Sequence, residues 1–132
     1  VSDPDPVPDP ELAPSPAPAP APVPGDQFLA VLTTTDSEAA AQSLARGAVE
    51  ARLAACAQIS SPIASVYRWE GRVETAREWQ VLLKTTAARY EALAAHLRGA
   101  HGYDTPEIIA TPITHGGAEY LAWVAAEVEP GA

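Results

Sequence analysis

One cysteine, one lysine, one phenylalanine and no methionine occur among the 132 residues, and each scarcity excludes something. A single cysteine cannot close a disulfide within the chain, and a Cys-rich zinc centre needs several thiolates, so neither framework is available. One lysine and seven scattered arginines stand against 17 acidic residues. Without a basic patch to neutralise phosphates, a nucleic-acid partner is disfavoured. No apolar run approaches the roughly 20 residues of a membrane-spanning helix, and the first 24 residues lack the basic and apolar blocks of a leader. Together with a lone thiol, which suits a reducing compartment, these absences set the expectation of a soluble, cytoplasmic protein with no membrane partner.

Proline is plentiful but confined. Ten of the 14 prolines fall before residue 25, in Pro-Ala and Pro-Asp repetition. Fixed φ angles and missing N–H donors favour an extended form without a packed core. Residues 1–25 are therefore expected to be a disordered, acidic Pro/Ala-rich tail, and residues 26–132 to be the single folded domain. Four acids in the tail leave 13 acids against 8 bases in the remainder, so both parts are acidic. A domain of roughly 100 residues buries only a small core, which makes association with further copies a natural way to cover leftover apolar surface.

The folded part opens with Phe28 to Thr35, an apolar and β-branched run of strand length. Thr35 followed three residues later by Glu38 fits a capping box, and Ala41, Leu44, Ala45, Ala48, Val49 and Leu53 recur at helical spacing. From Ala54 to Thr85 the pattern is extended. Ile59, Ile63, Val66, Tyr67 and Trp69 precede a Glu70-Gly71 turn, and Val73 and the run Trp79 to Leu83 follow it, which reads as a long hairpin. Pro62 has no N–H to give and predicts an edge position or a bulge there. Tyr90, Leu93, Ala94 and Leu97 share a helical face, with Gly99 placed for a left-handed C-terminal cap. Glu107 to Ile113 reads as a further strand, at an edge because of Pro112, and Leu121, Val124, Ala125 and Val128 supply a short last helix. The order βαββαβ plus a C-terminal helix predicts an α/β (α+β) domain, a ferredoxin-like sandwich with a long β-hairpin.

Five separated blocks then carry a resemblance: Leu53-Ala54-Ala55-Cys56, Ser65 to Gly71, Glu78 with Leu82-Leu83-Lys84-Thr85, His101 to Glu107, and Tyr120-Leu121-Trp123. In this order and spacing the chain resembles the CutA family of divalent-cation tolerance proteins from Val31 to Val128, and the tail lies outside the likeness. The resemblance implies a ferredoxin-like fold assembled as a homotrimer through its hairpins, similar in shape to PII signalling proteins. It also implies copper or another divalent cation as the bound ion and a response to metal ions; no organic cofactor and no catalytic residues are expected. Two positions depart from the family pattern: Gly102 stands where proline is common, and Gln58 where asparagine is. Gly102 leaves its loop freer.

Cys56, His101 and Glu107 are the candidate metal ligands. A thiolate suits copper, whereas the plainer reading of Cys56, set among Ala54, Ala55 and Ala57, is a small residue entering a core. His101, Tyr103, Asp104 and Glu107 crowd a turn-rich loop. There imidazole and carboxylates bind an ion, move protons, or simply brace a contact between subunits. Glu78 and Lys84 lie an even number of residues apart and so share a strand face, either lining a ligand cleft or forming ion pairs. Tyr67 and Trp69 also share a face, for stacking a ligand or for burial against another subunit. His96 and His115 lack the paired spacing of a His-rich metal motif. Beside the metal-binding reading stands a PII-like sensor holding a small anionic metabolite between subunits, motivated by Lys84. An enzyme using His101 with Asp104 or Glu107 ranks last, because no nucleophile, base and orienting group can be assigned together.

Overall fold

A computed structural model describes residues 27–130. The tail expected over residues 1–25 lies outside the described residues. The elements run β1 (Phe28–Thr35), α1 (Glu38–Glu50), β2 (Cys56–Ile59), β3 (Ile63–Trp69), β4 (Arg72–Thr86), a 3₁₀ turn (Ala87–Arg89), α2 (Tyr90–Ala100), β5 (Ile108–Pro112) and α3 (Ala118–Glu127). All pairings are antiparallel. The sheet order is β2-β4-β1-β5, with β3 also on β4, so β2 and β3 together act as one interrupted strand of a ferredoxin-like sheet.

Why each element forms follows from its side chains. Leu29, Val31 and Thr33 of β1 alternate with Phe28, Ala30 and Leu32, so each of the two sheet faces receives an apolar set. Helix α1 is capped by Ser37, whose Oγ accepts from the Ala40 N–H at 3.0 Å. The capping box expected from Thr35 does not form, because Thr35 is still paired with Trp79 in the ladder and is buried. Ala41, Leu44, Ala45 and Ala48 make the buried stripe of α1, while Val49 falls outside it and Leu53 is buried from the turn beyond. Gly99 sits inside α2 rather than capping it, since the helix continues to Ala100 and ends on an extended His101.

One face of the sheet packs on α1 and α2. Val31, Val81, Leu83, Leu93 and Leu97 are fully enclosed there, with Trp79, Ile108 and Ala110 at the margin. Among the described residues the opposite face is covered at one end by α3, which lays Leu121, Val124 and Val128 against Phe28 and Ala55, and at Glu78 by Tyr103 of the loop after α2. Beyond α3 that face stays partly open, leaving Leu32 and Leu82 half-buried and Ile109 50% exposed.

The hairpin turns at Glu70 (φ 49°) and Gly71 (φ 78°), two consecutive left-handed residues as a tight two-residue turn between twisted strands requires. At its other end lies a bulge. Four residue steps from Ile59 to Ile63 answer only three from Val81 to Glu78, so one residue is in excess around Pro62. Ser60 closes the gap in the ladder: its N–H donates to the Gln80 carbonyl at 2.9 Å and its Oγ accepts from the Gln80 N–H at 2.9 Å. The interruption expected at Pro62 is thus present, and Pro112 lies on the edge strand β5, as expected.

Candidate functional site on the open sheet face

Register decides which side chains share the open face. Lys84 opposes Cys56 on one side and Ala30 on the other, so Cys56, Gln58, Ala30, Leu82 and Lys84 lie together. The bulge then shifts the phase of β3 by one residue. Ile63, Ser65, Tyr67 and Trp69, rather than Ala64, Val66 and Arg68, come onto the face of Glu78. The expectation that Tyr67 and Trp69 share a face, and Glu78 and Lys84 likewise, holds in this register.

The candidate residues form two groups. The first is built on the loop after α2. His101 Nδ1 accepts from the Tyr103 N–H at 3.0 Å, which leaves Nε2 protonated to donate to the Thr34 carbonyl at 2.8 Å. Tyr103 in turn donates its hydroxyl to Glu78 Oε2 at 2.8 Å, and its ring lies 4.8 Å from the His101 ring. Burial, then the hydrogen bond to Glu78, then the charges of Glu78, Asp36 and Tyr67 all push the Tyr103 phenol well above its ordinary value. Asp104 and Glu107 are exposed beyond this cluster.

The second group is centred on Cys56, a half-buried free thiol. Its Sγ lies 3.3 Å from Tyr120 Oη on α3, and Tyr120 stacks at a tilt against Trp123 with ring centroids 5.7 Å apart. The hydrogen bond with Cys56, then burial, push the Tyr120 phenol up to about 12. Lys84 donates to Gln58 Oε1 at 2.7 Å beside this group.

The two groups are separate within one chain. Thr34, to which His101 is bonded, pairs with Gln80, whereas Cys56 pairs with Lys84. Four residues of strand correspond to about 13 Å. Cys56, His101 and Glu107 therefore do not form one ligand shell in a single protomer, and no group of three His, Cys, Asp or Glu among the described residues is placed to hold a metal. His101 spends both ring nitrogens on internal hydrogen bonds, so a metal there must displace either the Tyr103 N–H or the Thr34 carbonyl. Glu78 and Lys84, six residues apart on β4, serve different groups. Two concavities lie elsewhere, about 480 Å³ beside Pro62, Ile63 and Arg77 and about 430 Å³ between Arg89 and the end of α3.

Sequence reasoning missed Tyr120, Thr34 and Asp36 as site residues. Tyr120 stood in a matching block without a role, since its link to Cys56 spans 64 residues. Thr34 acts through its backbone carbonyl, which carries no sequence signal. His96, read as ordinary, sits where a Cβ on Gly47 would come 3.1 Å from its Nε2, so the glycine permits α1 and α2 to approach.

Residues 29–127 match the family described as CutA1 divalent ion tolerance protein. The chain belongs to that family. It is 42% identical over 100 residues to the divalent-cation tolerance protein CutA of Escherichia coli (strain K12 / DH10B), covering 76% of this chain and 89% of that one. CutA from Synechococcus elongatus PCC7942 is similar in structure with a TM-score of 0.77 at 35% identity, covering 83% of this chain and 96% of that one. The divalent cation tolerance protein (Cut A1) from Thermus thermophilus gives a TM-score of 0.76 at 39% identity, covering 77% of this chain and 99% of that one. The CutA match begins inside β1 and ends with α3, so both groups of site residues lie within it.

Proposed function

We propose that this CutA chain is the subunit of a cytoplasmic homotrimer that binds copper or another divalent cation and contributes to metal tolerance by binding rather than by catalysis. The observation that carries the reading is the position of Cys56: a half-buried thiol on the sheet face that the chain's own helices leave partly open. A thiolate is a fitting ligand for copper, and one thiolate cannot complete a coordination shell. The missing donors then come from neighbouring copies packed on the same face. The long hairpin supports assembly, because Val66, Tyr67, Trp69 and Val73 are all largely exposed on it and β3 has no partner on its outer edge among the described residues.

Two measurements test this. Copper retained after desalting is expected to fall in Cys56→Ala, and the light-scattering mass at micromolar concentration is expected to be that of three subunits. Equal retention in wild type and Cys56→Ala would remove the thiol from the site. A single-subunit mass with the fold intact would remove the shared shell.

A further inference from the structure

Glu78 is the one buried acid among the described residues, 8% exposed, and Tyr103 Oη is its hydrogen-bond donor. A carboxylate withdrawn from water ordinarily has a cation beside it, because desolvation of an uncompensated charge is costly. The described residues hold two ion pairs, Arg46–Glu50 and Arg52–Glu127, and Glu78 is in neither. Its surroundings add negative rather than positive charge, since the Asp36 carboxylate also opposes ionisation of the neighbouring Tyr103 phenol. Arg77 follows the opposite face of β4 and lies over the Trp79 ring at 5.5 Å. Lys84 is six residues, or about 20 Å, along the strand.

We propose that the Glu78–Tyr103 pair is a recognition site for a cationic nitrogen group, ammonium or guanidinium, supplied by a small amine or by a basic side chain of a second copy. The carboxylate offers a charge-assisted hydrogen bond that Tyr103 orients without neutralising. Tyr67, brought onto this face by the bulge, close enough to act on the Tyr103 phenol and 43% exposed, presents a ring face of the kind that attracts such cations. A divalent metal fits less well. It needs several oxygen or nitrogen donors, and here one carboxylate stands beside a neutral phenol and an imidazole whose nitrogens are both engaged. An anion has no cationic partner beside Glu78 among the described residues. The site is separate from the Cys56 centre, and only the second-copy source rests on the proposed trimer.

The test uses the full chain, Glu78→Gln and Tyr103→Phe. Propylammonium and propylguanidinium chloride are titrated at fixed ionic strength, with sodium propionate and zinc chloride as controls. The Tyr103 amide is followed by NMR, and mass by light scattering. A free-amine site gives saturable binding of a propyl cation that weakens about tenfold or more in E78Q and is retained in Y103F, because the charge and not the hydroxyl is recognised. If a second copy supplies the cation, both probes are silent, and E78Q raises the concentration needed for assembly while Y103F does not. The proposal is overturned if E78Q and Y103F behave alike in both readouts, which marks a purely structural hydrogen bond. Propionate binding as well as the cations, or zinc alone saturating the site, overturns it too. Should E78Q not fold, propylammonium binding by wild type, retained in Y103F, supports the site, and silence of wild type towards both cations, with a light-scattering mass that added salt does not lower, overturns it.

Discussion

The two halves of β4 meet different surroundings. From Trp79 to Thr85 its alternate residues are driven into the core by α1 and α2, with Val81, Leu83 and Thr85 at 0% exposure. From Arg72 to Arg77 the same strand has only β3 beside it, and Val73 and Val66 stand 65% and 67% exposed. A two-stranded ribbon is marginal in water by itself. The packed half thus stabilises the fold, while the outlying half displays surface that no helix among the described residues covers.

That contrast can be broken at either end. Leu83→Ala, in the packed half, is expected to cost about 2–5 kcal/mol, the range for large-to-small changes in an enclosed core, read from the urea midpoint. Replacing Val66 and Val73 together by lysine is expected to shift the assembly equilibrium by about tenfold or more while changing the stability of the dissociated chain by no more than about 1 kcal/mol. Sedimentation across a dilution series separates the two effects, and a large loss of monomer stability would show that the ribbon belongs to the core after all. Ser37→Ala removes the cap of α1 and is expected to cost about 1 kcal/mol by chemical denaturation. Gly71→Ala places a β-carbon at a left-handed turn residue and is expected to cost about 1 kcal/mol or less, sensed as increased amide exchange along β3.

A last effect concerns pH. Tyr120 holds its proton in the folded chain up to about 12, whereas an unfolded tyrosine releases it near ~10. The protonated form is the one favoured by folding. Its contribution is fully present below the unfolded value and is lost as pH rises through the folded one. Ultraviolet titration of Cys56→Ala should show this phenol moving back down, because the hydrogen bond with Cys56 is the first cause of the shift. An unchanged late transition would separate Tyr120 from Cys56.

Local chemistry made most of the fold legible in the sequence. The Phe28–Thr35 strand, the Glu70-Gly71 turn and the break at Pro62 each depend on residues within a few positions of one another. The start of α1 was misplaced because Thr35 and Ser37 both offer a hydroxyl before an acidic turn, and ladder pairing with Trp79 decides between them. Gly99 failed as a cap because α2 continues past it to Ala100. For the site, strand parity placed Glu78 with Lys84 on one face but says nothing about distance along the strand. Tyr103 reaching Glu78, and Tyr120 reaching Cys56, are meetings between distant segments that only the packed sheet and α3 create.

The extra residue beside Pro62 acts as a phase changer between the two halves. Deleting Ser61 would bring Val66 and Arg68 to the side now held by Tyr67 and Trp69, turning the ribbon over while leaving the helices and their sheet face as they are. One short, proline-marked step in the chain thus sets what the molecule shows to its neighbours, independently of what it keeps inside.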